Sequence, residues 1–165
     1  MDYSIKLKTC EIATEPMMFK TYECERIGVL LIAHGSRSSQ ANQDLFLLAE
    51  RFKLNGYPIS QPSFLELAEP NIMDGGRSCI EQGATKVVML PYFLSAGVHV
   101  IKDLKEFKEN LSARYTHATF LLASPLGPHR LLEELLATRL KESLESCHHD
   151  KESDRSNIVS SSRTS

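Results

Sequence analysis

Short apolar runs and helix-like patterns take turns along the middle of this chain. The run IGVLLIA at Ile27–Ala33 is continuous, as in a strand that is buried on both faces, and KVVMLP at Lys86–Pro91 is a similar run. An extended segment follows Tyr57-Pro58 and continues towards Glu66, and another covers residues 118–123. The pattern therefore predicts four strands.

Apolar residues at helical spacing separate these strands. The first helical pattern ends at Asn55-Gly56, a typical helix stop, and the second is expected to begin near Glu69-Pro70. The last is leucine-rich, and we expect it to finish the core or to form a partner interface, which sequence does not separate. The four apolar faces are Leu45, Leu48, Ala49 and Phe52; Ile72, Met73, Gly76, Ile80 and Gly83; Val100, Leu104, Phe107 and Leu111; and Leu131, Leu132, Leu135, Leu136, Leu140 and Leu144.

Strands that alternate with helices predict an α/β fold, here a three-layer domain with a four-stranded, mostly parallel sheet flanked by helices. We assign it to residues 27–146. Residues 1–26 show no clean period and form an N-terminal extension. Residues 147–165 are polar and Ser-rich, so we expect a disordered tail there.

Composition narrows the class of protein. The chain has 165 residues, 42% hydrophobic and 24% charged, which suits one soluble domain with tails. A net charge of −2 gives no basic field for nucleic acid, and no apolar stretch approaches the roughly 20 residues that span a bilayer. The four cysteines are far apart, without a C-x-x-C pair, and the N-terminal segment does not resemble a signal or transit peptide. These features predict a cytoplasmic protein.

Three residues with metal-binding or acid–base chemistry fall near the ends of predicted strands. His34 follows the first strand, Glu66 lies near the end of the second, and His99 follows the third. Ligands of open parallel sheets bind outside the carboxyl ends of the strands, so these side chains are expected at one edge if the first and third strands are neighbours. Imidazoles suit divalent iron, cobalt, nickel, copper or zinc, and they accept protons near neutral pH.

Each of these residues also has a purely structural interpretation. His34 is consistent with a strand-end residue hydrogen-bonded to a loop carbonyl, His99 with a helix entry, and Glu66 with a cap for the helix that begins near Pro70. Arg37 in the first loop is either solvated or bound to an anionic group.

Four segments, in this order, carry a resemblance to a known family: GVLLIAHGSR, FLELAEPNI, VVMLPYFLSAGVHVIKDL and ASPLGPHRLLEELLATRL. Over about residues 27–144 the chain resembles the sirohydrochlorin chelatases, in particular the small, half-sized type within the class II tetrapyrrole chelatases. The resemblance implies insertion of Fe2+ or Co2+ into sirohydrochlorin, a macrocycle with eight carboxylates, on the way to siroheme or cobalamin. It places the family's two metal-site histidines on His34 and His99, and a cleft acid on Glu66.

A mechanism follows as a hypothesis from the resemblance and the chemistry of these residues. Arg37 and Lys102 would orient the substrate carboxylates, while His34 and His99 hold the metal and accept the two departing pyrrole protons. Glu66 would hydrogen-bond an imidazole or relay protons. Half-sized members pair as homodimers. The tail contains only Cys147, so no iron–sulfur cluster or other permanently bound cofactor is expected, and the metal is a substrate.

Two other functions remain open from the sequence. A non-catalytic metal or tetrapyrrole carrier would use the same cleft and histidines. Phosphoryl transfer through His34 with Arg37 is less favoured, because the histidine phosphatases place Arg just before such a His-Gly pair and this chain has Ala33 there.

Overall fold

The computed structural model describes residues 25–161, with side chains described for residues 25–145, and contains one four-stranded sheet. The strand order is β2-β1-β3-β4 and every neighbouring pair is parallel, which confirms the predicted α/β fold. The elements are β1 (Ile27–Ala33), α1 (Ser39–Leu54), β2 (Ile59–Phe64), α2 (Ile72–Glu81), β3 (Lys86–Pro91), α3 (Val98–Arg114), β4 (Thr119–Leu122) and α4 (Arg130–Ser161).

The two faces of the sheet are buried by different helices. Side chains of β1 alternate, so that Leu30 and Ile32 pack with α2 and α3, whereas Val29 and Leu31 pack with α1. The result is the predicted three-layer arrangement. Cys79 of α2 is fully buried in the larger cluster, and burial raises the pKa of its thiol to about 12. It is a core residue rather than a reactive one.

Helix α4 departs from the expectation that its leucines finish the core. Leu131, Leu135, Leu136, Leu140 and Leu144 are 48% to 71% exposed, and α4 does not pack extensively on any other described element. Expecting these leucines in the core of their own chain was therefore wrong. Apolar periodicity indicates that a helix face is to be buried, but it does not say against which surface.

The backbone of α4 also continues through most of the segment expected to be disordered. It is drawn as helix to Ser161, and the expectation of a disordered tail over residues 147–165 stays a prediction. Polar composition argued against burial there, but the stretch contains no glycine or proline, and its charged residues are compatible with a helix. Residues 1–24, most of the expected N-terminal extension, and residues 162–165 lie outside the described residues. No helix in the described part of the chain is long and apolar enough to cross a bilayer.

Candidate active site

The loops that follow β1, β2 and β3 are joined at the carboxyl edge of the sheet. Backbone N–H groups of Leu65 and Glu66 donate to the carbonyls of Ala33 and His34 at 2.9 and 3.0 Å, and Tyr92 donates to Ile32 at 2.6 Å. Because β1 lies between β2 and β3, the loops that carry the three candidate residues are neighbours, as the hypothesis of a shared site requires.

His34 is exposed, and its imidazole ring is oriented by an aromatic contact. The ring of Phe93 lies 5.3 Å away between centroids at 75°, an edge-to-face arrangement, and Phe93 is only 7% exposed. The imidazole makes no hydrogen bond to another described residue, so the alternative of a histidine bound to a loop carbonyl is not supported. Phe93 was not predicted as a site residue, since only the fold brings it to His34.

The loop after His34 is held by side-chain and backbone contacts. Asn42 in α1 accepts from the Ser36 N–H at 2.9 Å and donates to the Ser36 carbonyl at 2.8 Å. Gly35 has φ +91°, and a Cβ there would collide with the carbonyl oxygen of Glu66. The loop is therefore fixed before any ligand arrives. The sequence gives one hint of this role: asparagine is a poor helix former, and Asn42 lies in the first turn of α1.

Glu66 is exposed and does not cap the following helix. The cap of α2 is Asn71, whose side chain accepts from the Asp74 N–H at 2.9 Å, so α2 begins at Ile72 rather than at Pro70. Glu66 instead borders a cavity of about 250 Å³ together with Asp103 of α3. This leaves its carboxylate available to a ligand.

His99 lies in the first turn of α3, as the helix-entry interpretation also predicted, and it is exposed. Asp103 is one turn further along, four residues away, and therefore lies on the same face of the helix. Asp103 also lines the cavity beside Glu66. Asp103 was not predicted as a site residue, although its spacing of four residues from His99 is a signal present in the sequence.

The two candidate substrate-binding cations are free to meet an anion. Arg37 and Lys102 are exposed, and neither has an ion-pair or hydrogen-bond partner among residues 25–145. One follows β1, and the other lies in the second turn of α3, so both belong to the edge that carries His34 and His99.

A complete metal site is not present within the described part of this chain. No group of three or more His, Cys, Asp or Glu side chains there is arranged to hold a metal ion. His34 and Glu66 lie in adjacent loops and His99 in the first turn of α3, but the three do not form a ready-made three-ligand site. Their joint role in binding a metal stays a prediction.

Comparison with known proteins gives consistent matches. Residues 28–143 match the CbiX family. The chain is 36% identical over 118 residues to the sirohydrochlorin ferrochelatase, chloroplastic, of Arabidopsis thaliana, covering 71% of this chain and 52% of that protein. It thus spans about half the length of that relative.

Two solved structures share the fold. A putative cobalamin biosynthesis CbiX protein from Marinobacter aquaeolei VT8 is 30% identical, with a TM-score of 0.63, and the match covers 73% of this chain and 98% of that one. The sirohydrochlorin chelatase SirB of Bacillus subtilis subspecies spizizenii, in complex with cobalt, is also 30% identical, with a TM-score of 0.65 over 71% of this chain and 50% of that one.

Proposed function

The chain belongs to the CbiX family, and from this premise we propose that it is a sirohydrochlorin chelatase that inserts Fe2+ or Co2+ into sirohydrochlorin. The family match over residues 28–143 carries the proposal, because it includes the loops with His34, Glu66 and His99. The relatives named above support the same chemistry, one as a ferrochelatase and one as a chelatase in complex with cobalt.

In the proposed reaction, one divalent ion replaces two pyrrole protons. The exposed imidazoles of His34 and His99 hold the incoming ion, since neutral imidazole binds both iron and cobalt. Once the ion has passed to the ring nitrogens, the imidazole nitrogens that held it are free to accept the departing protons. Glu66 then passes protons to solvent, which its exposure on the same edge permits. The metal is substrate throughout, and the proposal requires no permanently bound cofactor.

Recognition of the substrate rests on Arg37 and Lys102. A macrocycle with eight carboxylates needs cations, and the net charge of this chain is −2. The lack of ion-pair partners for these two side chains among the described residues supports their role, because neither must break an existing bond to meet a carboxylate. They act locally and do not need a basic surface.

We further propose that the protein works as a homodimer, with the cleft completed by the second copy. The chain aligns with 50% of the SirB chain and 98% of the Marinobacter aquaeolei chain. Among the described residues, no helix packs on the α1 face of the sheet beyond β1 and β2, and Leu121 of β4 is 44% exposed there. The leucine face of α4 and this open sheet surface are both apolar, and each is suited to bury the other across two copies.

We propose a cytoplasmic location on the cysteine usage, because the four cysteines are far apart and include no C-x-x-C pair. The Arabidopsis thaliana relative carries the word chloroplastic in its name, so cell fractionation is the test that decides the compartment.

An anaerobic initial-rate assay with sirohydrochlorin and Co2+ or Fe2+ tests the proposed reaction. We expect His34→Ala and His99→Ala to abolish the enzymatic rate. His117→Ala is the matched control, because His117 is also exposed and also lies edge-on to an aromatic ring, Tyr115, at 6.4 Å, but follows α3 at the opposite edge. If His34→Ala and His99→Ala both keep the rate of the His117→Ala control, neither site histidine takes part in the mechanism.

A further inference from the structure

Leu67 lies at the tip of the loop between β2 and α2 in a conformation that leucine rarely adopts. Its φ is +61°, which makes it the one residue other than glycine with a positive φ in the described part of the chain. The Ala68 N–H donates to the Glu66 carbonyl at 2.7 Å and closes a γ-turn around Leu67. A positive φ costs an L residue free energy, most of all one with a bulky side chain.

The surrounding loop keeps this strain from relaxing. The Phe64 N–H donates to the Pro70 carbonyl at 2.9 Å, which closes the base of the loop. On its other side, Glu66 is hydrogen-bonded to His34 and its carbonyl lies against Gly35. Strain that is held by several independent contacts is characteristic of functional segments.

The side chain that this conformation presents is apolar and 58% exposed. Two more leucines extend into solvent from the loops after β3 and β4, Leu94 at 70% and Leu126 at 40% exposure. These two loops are tied by the Leu126 N–H, which donates to the Phe93 carbonyl at 2.9 Å. Three of the four strand-end loops therefore expose a leucine at the edge that carries His34. Single exposed leucines are ordinary, but a group around polar chemistry is typical of a ligand site.

We propose that Leu67 is a substrate-contact residue, which supports the flat apolar face of the tetrapyrrole beside Glu66. This inference rests on the proposed function. A tetrapyrrole with a carboxylate rim presents charge at its periphery and apolar surface on its two faces, so cations and leucines recognise different parts of it. Leu67 would contact the ring equally in the bound substrate and in the transition state, and its contribution therefore appears in KM rather than in kcat.

Leu67→Gly separates this role from a structural one, because glycine adopts a positive φ without strain. We expect KM for sirohydrochlorin to rise about tenfold, since an apolar contact of leucine size is lost. We expect kcat to stay within about twofold, and the thermal midpoint to be unchanged or higher. Leu67→Met, which keeps an apolar side chain, should restore a KM near that of the wild type. Leu54→Ser is the control, because Leu54 is 86% exposed but ends α1 at the opposite edge of the sheet.

Each contrary outcome has a distinct meaning. An unchanged KM in Leu67→Gly beside an active wild type overturns the inference alone. A lower sedimentation mass in that variant would assign the side chain to the contact between copies, and a markedly lower thermal midpoint would assign it to folding. Either result overturns substrate contact. No turnover by the wild type overturns the proposed function, and this inference with it.

Discussion

Replacing Gly35 by alanine tests how closely the His34 loop approaches the Glu66 loop. Gly35 has φ +91°, so an alanine there is strained by about 1–2 kcal/mol in any surroundings. Its Cβ would also collide with the carbonyl oxygen of Glu66, which is backbone and not the end of a flexible side chain. The collision is relieved only if the two loops move apart. That movement weakens the hydrogen bond from the Glu66 N–H to the His34 carbonyl, which is worth about 1 kcal/mol.

Gly56 provides the matched control for this substitution. Its φ is +95°, nearly that of Gly35, but nothing lies within 4 Å of a Cβ built there. Gly56→Ala therefore introduces the backbone strain without the collision. The alanine also lowers the entropy of the unfolded chain, which offsets part of that strain. We expect the free energy of unfolding to fall by about 1 kcal/mol. Overpacking adds about 1–3 kcal/mol for Gly35→Ala, so we expect a total loss near 3 kcal/mol.

Urea denaturation of the two variants, followed by circular dichroism, measures this difference. With a denaturant slope of about 2 kcal/mol per molar, Gly35→Ala should unfold about 1 M below Gly56→Ala. Chelatase activity should fall only in Gly35→Ala, because only that loop carries His34. Equal urea midpoints for the two variants would refute the close approach of the loops, and with it the argument that the site is rigid.

Three further predictions concern other parts of the molecule. Phe93→Leu removes the ring that orients His34 and should lower kcat up to about tenfold with KM nearly unchanged, in line with an aromatic pair worth about 0.5–1.5 kcal/mol; an unchanged kcat would leave the contact without a role. Leu136→Glu places a charge on a side chain that is 71% exposed in one copy, and should weaken the proposed dimer more than about tenfold in sedimentation equilibrium, whereas an unaltered mass would exclude this face from the interface. Burial raises the pKa of Cys79 from about 9.0 to about 12, so the folded thiol keeps a proton that the unfolded thiol loses, and stability should fall as pH rises above 9. In a variant with every other cysteine changed to serine, the native thiol should resist a thiol reagent at pH 8, and rapid labelling would contradict this burial.

The strands were predictable because each has a local cause. The first and third strands have the predicted bounds, Ile27–Ala33 and Lys86–Pro91, since strands at the centre of a parallel sheet are continuous apolar runs. Because these two strands are adjacent, His34 and the loop that leads to His99 follow neighbouring strand ends. For the same reason, residues that end these strands could be named as candidates without any coordinates.

The features that escaped prediction depend on contacts between distant segments. Phe93 is a buried aromatic in an apolar stretch, and nothing local distinguishes it from a core residue until its ring is seen beside His34. The positive φ of Leu67 is equally invisible, because glycine or asparagine is the usual signal for that conformation. In α4 the apolar pattern predicted a helix, but its leucines stay exposed within the described part of the chain, and their burial against a second copy is a proposal.

The central claim is that this chain turns over sirohydrochlorin rather than only binding it. The most direct measurement is the amount of metallated product per subunit, followed by absorbance in one anaerobic time course with Co2+ or Fe2+. The chelatase proposal predicts several products per subunit, formed faster than the spontaneous reaction. Product that stops at one or fewer per subunit, or forms only at the spontaneous rate, would contradict it and favour a metal or tetrapyrrole carrier.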